Sequence, residues 1–447
     1  MEGNLTKGPI LKTLTKLAIP IMASSFLGTL YNITDMAWIG LLGAKAVAGV
    51  GVGGMFTWLS QGLASMARMG GPVQVAQCIG RGDREEAHKY AQAAVQLAII
   101  MGLLFAGIVL LFLHPLVGFF KLQDPEALSA ALSYTKIACG LIVFSFLSLT
   151  LTGIYTAQGD SKTPFIANLI GLVTNMILDP LLILGLGPIK KFGVDGAAIA
   201  TVTAQAIVMS IMVIGILQQK MENVLKGIKI FARIPSRYLG GICKIGIPTA
   251  IQGMAYCGIS MILTRMVSGF GAEAVATQRV GGQIESVSWN TADGFGAALN
   301  AFIGQNYGAG KMDRVRKGYK AALWSVGSWG LFITAIFVFA PKAIAEIFFH
   351  EPSAIAIAVG YLVIIGFSEA FMSVELMTVG ALSGLGKTHL CSVISILFTS
   401  ARIPLAVILS ATSLGLEGIW WALSVTSIVK GIIFVGTFYW TTRKRTV

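Results

Sequence analysis

Long apolar stretches alternate with short polar ones along the whole chain. A helix that crosses a bilayer needs ~20 mostly apolar residues. Measured against that length, the sequence predicts twelve spanning helices, at 14–40, 46–78, 89–113, 128–158, 164–187, 193–218, 243–270, 274–307, 317–341, 354–385, 390–411 and 416–440. Glycine and proline interrupt many of these stretches, so their ends are loosely set. The expected fold class is an all-α polytopic membrane protein.

The polar connections differ in charge. On the side shared with both termini, the Lys and Arg residues, among them Lys7, Arg84, Lys220, Lys229, Arg314, Lys387, Lys444 and Arg445, number 22. The other side carries 6, namely Lys45, Lys121, Lys136, Lys190, Lys191 and Lys342. Cytoplasmic loops are the ones enriched in Lys and Arg, so both termini are expected in the cytoplasm and the helix number must be even. Topology then accounts for the net charge of +13, and no nucleic-acid partner is implied. Composition agrees: 55% of the 447 residues are hydrophobic and 12% charged, against roughly 25% charged in a soluble domain. Mean hydropathy is +0.78. Cys78, Cys139, Cys243, Cys257 and Cys391 form no CxxC pair and are odd in number, which favours small apolar fillers over a disulfide frame or metal site. The N-terminal lysines run into a long hydrophobic segment without a small-residue cleavage pattern, as a first membrane helix does.

The chain also repeats itself. Ile19-Pro20 recurs as Ile247-Pro248, Gly43–Ala48 (GAKAVA) as Gly271–Ala276 (GAEAVA), Val52-Gly53-Gly54 as Val280-Gly281-Gly282, and Gln77 as Gln305, all at an offset of 228 residues. An offset of six helices sets both copies the same way up. The expected organisation is therefore two parallel-repeat six-helix lobes, 1–218 and 243–447, joined by a basic cytoplasmic linker at 219–242. Parallel repeats of this kind are a transporter plan, with the substrate path between the lobes.

Ionisable residues inside spanning helices are costly and mark functional sites. In YNITDMAWIG (31–40), Asp35 stands in an apolar stretch with Tyr31 one turn earlier on the same face. Asp179 lies in the fifth span, with Asn175 one turn before it and Pro180 directly after. Two carboxylates, an amide and a hydroxyl suit a hard cation with oxygen ligands, or equally a shared proton. The second half differs: Leu263 stands at the repeat position of Asp35, while Glu285, Asp293, Glu369 and Glu375 occur with Arg265, Arg279 and Arg402. Some of these acids are expected to pair with the arginines. Glu285 is the first candidate to meet a cationic substrate, with Asp293 further along the same helix. Aromatic and thioether side chains suit a promiscuous substrate surface. Tyr31, Met36, Trp58, Met66, Met69, Tyr256, Met261 and Trp289 are the candidates, although for any one of them lipid contact or helix packing is the commoner role.

The sequence resembles the multidrug and toxic compound extrusion (MATE) transporters over essentially its whole length. The resemblance is carried by YNITDMAWIG, AQCIGRGDREEA, GIYTAQGDSKTP, NMILDPLLILGLG, GVDGAAIAT, IGQNYGAGKMDRV and GALSGLGKTH. The aspartate in the first helix is similar to the DinF-type, MepA-like prokaryotic branch. That resemblance implies an antiporter, acting as a monomer in the cytoplasmic membrane, that exports organic cations or other amphiphiles against inward flow of H⁺ or Na⁺. It implies no cofactor beyond the coupling ion and no enzymatic activity. It also implies an ion or proton site at Asp35, Asn175, Asp179 and Thr201, with Tyr134 nearby.

Two motifs are decoys. Gly49–Gly54 satisfies G-x-G-x-x-G, but it follows no strand and enters a membrane helix, so close helix packing is the better reading. ALSGLGKT (381–388) nearly spells a phosphate loop, yet its first-half counterpart TAQGDSKT marks it as a repeat turn. His88, His114, His350 and His389 lie scattered near loops. A flippase for a lipid-linked precursor is the alternative function; an enzyme acting on lipids has no nucleophile elbow or metal spacing to support it.

Overall fold

The computed structural model describes residues 5–120, 122, 124–185, 190–218, 223–349 and 351–443. Lys121, Lys220, His350, Lys444 and Arg445 lie outside the described residues, as do 186–187 of the fifth expected span and 219–222 of the expected linker. The first half of the chain forms α1 (Ile10–Gly40), α2 (Ala44–Arg81), α3 (Arg84–Leu111), the short α4 (Leu113–Gly118), α5 (Pro125–Gly140), α6 (Val143–Ala157), α7 (Lys162–Leu184) and α8 (Val194–Gln218). The second half forms α9 (Ser236–Ser268), α10 (Ala272–Gly308), α11 (Met312–Phe339), the short α12 (Pro341–Phe348), α13 (Pro352–Gly384), α14 (Thr388–Ser400), α15 (Arg402–Ser410) and α16 (Leu416–Arg443). No strand occurs among the described residues.

Nine of these helices are long and apolar enough to cross a membrane, with Thr388–Ser410 counted as one. The pair α5 and α6, bent by 45°, makes ten. With the glycine-rich α2 and α10, which are 38 and 37 residues long, the spans number twelve. The stretch 128–158, expected as one helix, is broken at Leu141–Ile142. The backbone there tightens to three-residue bonds, with Ile142 N–H donating to the Cys139 carbonyl and Phe144 N–H to Leu141, both at 3.3 Å. Such tightening turns the axis without a proline. Between α14 and α15 the cause is chemical: Pro404 has no N–H to give the Ser400 carbonyl.

The repeat is visible in the turns. Gly43 and its mate Gly271 have φ of 99° and 111°, and Gly159 and Gly386 have 86° and 75°, a left-handed region that side chains with a Cβ avoid. The second pair ends α6 and α13, so the sequence resembling a phosphate loop is a helix-terminating turn.

The chain folds into two compact units. Ala23–Ala250 form the first, and Leu5–Met22 with Ile251–Val447 the second. The boundaries at 22 and 250 are repeat mates, two residues beyond Pro20 and Pro248. Each unit thus contains the opening turns of a helix that the chain order would assign to the other. In the second unit, Leu14, Leu17 and Ala18 of α1 are buried with Ala292, Phe295, Leu299 and Phe302 of α10. The segment before α1 is tied down as well: Gln305 Oε1 accepts from Leu5 N–H at 3.0 Å, and the Arg314 guanidinium donates to the carbonyls of Lys7 at 2.9 Å and Gly8 at 2.8 Å.

In the first unit, Tyr238 and Ile242 of α9 join the core built from α2, α3, α6 and α8. This burial explains why 236–242, expected as linker, begin a helix. Residues 223–235 before it run as turns along α3.

Candidate functional site

α1, α5, α7 and α8 bring six polar residues together in the first unit. Tyr31 and Asp35 lie one turn apart on α1, as do Asn175 and Asp179 on α7; α8 contributes Thr201 and α5 contributes Tyr134. Asn175 and Asp179 are fully buried and Asp35 nearly so. The Asn175 amide donates from Nδ2 to Asp179 Oδ1 at 3.1 Å, which leaves its own carbonyl oxygen and Asp179 Oδ2 free. Asp35 and Asp179 lie close enough to act on each other electrostatically, and both act on Tyr31 and Tyr134.

Tyr31 Oη, Asp35 Oδ1, Asn175 Oδ1, Asp179 Oδ2 and Thr201 Oγ1 are buried without a partner in hydrogen-bond geometry among the described residues, although the Thr201 hydroxyl acts on Tyr31 and Tyr134. A single buried unsatisfied polar atom costs about 1–3 kcal/mol, so five in one place are not a product of packing alone. As a set they are hard oxygen donors. They can hold a small cation, or share a proton between two carboxylates. The resemblance implied a site at Asp35, Asn175, Asp179, Thr201 and Tyr134, and in the structure these residues lie near one another, with Tyr31.

α7 continues through Pro180 to Leu184. The missing proline N–H leaves the Met176 carbonyl without its helical donor one turn before Pro180. Tyr134 reaches the cluster because Gly53 of α2 has no side chain. A Cβ at Gly53 would lie 2.5 Å from the Tyr134 ring, and one at Gly49 would lie 2.7 Å from Ala130 Cβ. Gly49 and Gly53, within the apparent dinucleotide motif, thus lie on the face where α2 meets α5.

The second unit repeats the device with different residues. A Cβ at Gly281, the mate of Gly53, would lie 2.1 Å from the Tyr361 ring. Tyr361 donates its hydroxyl hydrogen to Glu285. Leu263, at the position corresponding to Asp35, is packed among Ile259, Val267, Ala406 and Ile419. The acids of this unit sit elsewhere. Glu369 is fully buried and its two carboxylate oxygens have no partner in hydrogen-bond geometry, although Glu285 acts on it electrostatically.

The expected pairing of these acids with arginines is corrected by the structure. Arg265 and Arg279 are exposed. Arg402 is buried and its charge acts on Glu285, but its hydrogen bonds go to hydroxyls, from Nε to Thr426 Oγ1 at 3.0 Å and from its terminal nitrogen to Ser427 Oγ at 2.9 Å. The buried ion pair is instead Lys430 Nζ to Glu375 Oε1, at 2.8 Å, with both side chains under a tenth exposed. Packing of α16 against α13 supplies the lysine. Sequence reasoning missed Lys430, although the signal was the one that found Asp35: a charged residue inside the apolar run TSIVKGIIFVG.

The candidate substrate residues divide between the units. In the first, Met36 and Trp58 are exposed, Tyr31 and Met69 are half-buried, and Met66 packs against the core of α2, α3 and α6. In the second, Tyr256, Met261, Trp289 and Asp293 are exposed, while Glu285 is half-buried and held by Tyr361.

Known proteins resemble the chain over nearly its whole length. The MatE family model matches twice, over residues 20–181 and 248–408, the two starts being repeat mates. The probable multidrug resistance protein NorM of Thermotoga maritima is 30% identical over 441 residues, covering 96% of this chain and 91% of the relative. The probable multidrug resistance protein YoeA of Bacillus subtilis is 24% identical over 99% of this chain and 96% of its own. A crystal structure of MATE in the bent conformation superposes with a TM-score of 0.89 at 24% identity, covering 99% of this chain and 96% of that one. The fold is theirs, and the double match across most of the sequence shows that the chain belongs to the MatE family of membrane transporters.

Proposed function

We propose that this transporter is a multidrug exporter that exchanges amphiphilic organic cations for inward-moving H⁺ or Na⁺ by alternating access. In this reading it acts as a monomer in the cytoplasmic membrane of a prokaryote, with both termini in the cytoplasm. Asp35, Asn175, Asp179 and Thr201, with Tyr31 and Tyr134, form the coupling site. The observation that carries the reading is the group of five buried oxygens, without a partner in hydrogen-bond geometry, contributed by α1, α7 and α8. The names of the relatives, probable multidrug resistance proteins, support export of drugs.

The chemistry follows from charge. With both carboxylates ionised the site holds two negative charges in a low-dielectric surrounding, where each is costly. Binding a proton or Na⁺ lowers that cost, so the loaded and unloaded states favour different arrangements of α1. An ion shifts such an equilibrium only by its difference in affinity for the two arrangements. Asn175 fixes the Asp179 carboxylate through Oδ1 and leaves Oδ2 and its own carbonyl for the ion. Thr201 and the tyrosine hydroxyls complete an all-oxygen shell.

The test uses protein reconstituted in liposomes with a fluorescent organic cation and an imposed Na⁺ or pH gradient. Wild type is expected to move the dye under one of the two gradients, which identifies the ion. Asp35→Asn is expected to insert and unfold as wild type does, and to lose gradient-driven transport. Wild-type rates in Asp35→Asn would refute the assignment.

A further inference from the structure

The segment between the halves carries an exposed feature that transport does not use. Residues 229–232 form a turn closed by Ala232 N–H on the Lys229 carbonyl at 3.1 Å. Phe231 at its tip is 101% exposed and Ile230 47% exposed. This exposure is built in, because the segment is pinned on both sides of the tip. Ile228 and Ile234 pack against the core of the first unit. On α3, Gln92 Nε2 donates to the Lys229 carbonyl at 2.8 Å, and Gln96 Nε2 to the carbonyls of Ile230 at 2.6 Å and Ala232 at 2.8 Å.

The position of Gln96 fixes the depth of the turn. Residues 93–111 of α3 form its apolar run, which at ~1.5 Å per residue spans roughly 28 Å, close to the hydrocarbon thickness of a bilayer. Gln96 lies in the first turn of that run. One and two turns further along the same face, Ile100, Leu103 and Leu104 are exposed, as lipid-facing residues are. The turn 229–232 is therefore held at the head of this exposed apolar stripe, at the start of the apolar run of α3. Lys229 and Arg233, both exposed, bracket Phe231, and no acidic residue occurs from 229 to 235. An apolar tip between two cations at that depth matches an anionic phospholipid surface.

We propose that this turn anchors the first unit at the membrane interface, with Ile230 and Phe231 at the boundary of headgroups and acyl chains and Lys229 and Arg233 on anionic headgroups.

The test places the photo-crosslinking residue p-benzoylphenylalanine at position 231 of the full chain, in vesicles of equimolar phosphatidylcholine and phosphatidylglycerol, followed by intact mass spectrometry. A phospholipid adduct is expected, with phosphatidylglycerol favoured about thirtyfold, the equivalent of ~1 kcal/mol for each of the two basic residues at an anionic surface. In the Lys229→Gln/Arg233→Gln background the adduct is expected to persist while the preference falls to parity. Three results overturn the proposal: crosslinks only to a second copy of the chain, no lipid adduct at 231 while the same probe at Leu103 gives one, or parity between the two lipids in wild type.

Discussion

Replacing Lys430 with methionine removes one partner of an ion pair and leaves the other in place. Glu375 then has a carboxylate less than a tenth exposed, within a spanning helix and without its 2.8 Å partner. Breaking a buried pair in this way costs about 3–5 kcal/mol, most of it the penalty of the stranded charge. For a cooperative unit of some 200 residues each kcal/mol lowers Tm by roughly 2–4 °C, so Lys430→Met is expected to melt on the order of 10 °C below wild type. The double variant Lys430→Met/Glu375→Gln removes both charges and is expected to recover most of the loss, because a neutral amide needs no countercharge. The assay is thermal unfolding of the four proteins of the cycle, followed by tryptophan fluorescence in detergent and again in nanodiscs. A single variant within about 2 °C of wild type, or a double variant no more stable than the single, would show that the pair does not support the fold as argued.

Other perturbations test the site and the linker. Gly281→Ala sets a Cβ 2.1 Å from the Tyr361 ring and is expected to cost about 1–3 kcal/mol while displacing the hydroxyl from Glu285; Gly53→Ala, at 2.5 Å from Tyr134, is expected to cost somewhat less. Normal melting in both would mean the tyrosines are not wedged. Asn175→Leu strips Asp179 Oδ1 of its donor, so a stability loss of about 1–3 kcal/mol with weakened gradient-driven transport is expected. Unchanged transport would exclude a positioning role for the amide. Gln96→Leu deletes two hydrogen bonds that hold the turn 229–232, each worth about 0.5–1.5 kcal/mol. Trypsin is expected to cut at Lys229 or Arg233 several-fold faster in that variant, and equal rates would mean the segment is held elsewhere.

The expected spans lay within several residues of the observed helices because the length rule rests on bilayer thickness, which leaves its mark on every segment. The clustering of Asp35, Asn175 and Asp179 was legible for a similar reason: a buried charge is expensive, and one-turn spacing puts its partner on the same face. What sequence did not disclose were effects without a local signature. The break at Leu141–Ile142 involves neither proline nor a polar residue, only a tightened hydrogen-bond pattern. The assignment of Arg402 to hydroxyls depends on Thr426 and Ser427, ordinary residues whose role appears only when α15 and α16 are packed. The joining of Leu14 and Leu17 to Phe295 and Phe302 spans some 280 residues, and no periodicity records it.

That last arrangement bears on how the protein is made. The opening turns of α1 leave the ribosome well before their packing surface on α10, which follows some 280 residues later. At ~5–20 residues per second the interval is roughly 15–55 s. Through that time Leu14, Leu17 and Ala18 must rest against lipid or another part of the nascent chain. The second unit is sealed only when the opening turns of α1 return to it. Neither half of the duplication can therefore mature as a separate translation product without its partner's opening helix, which gives a physical reason for the fused chain.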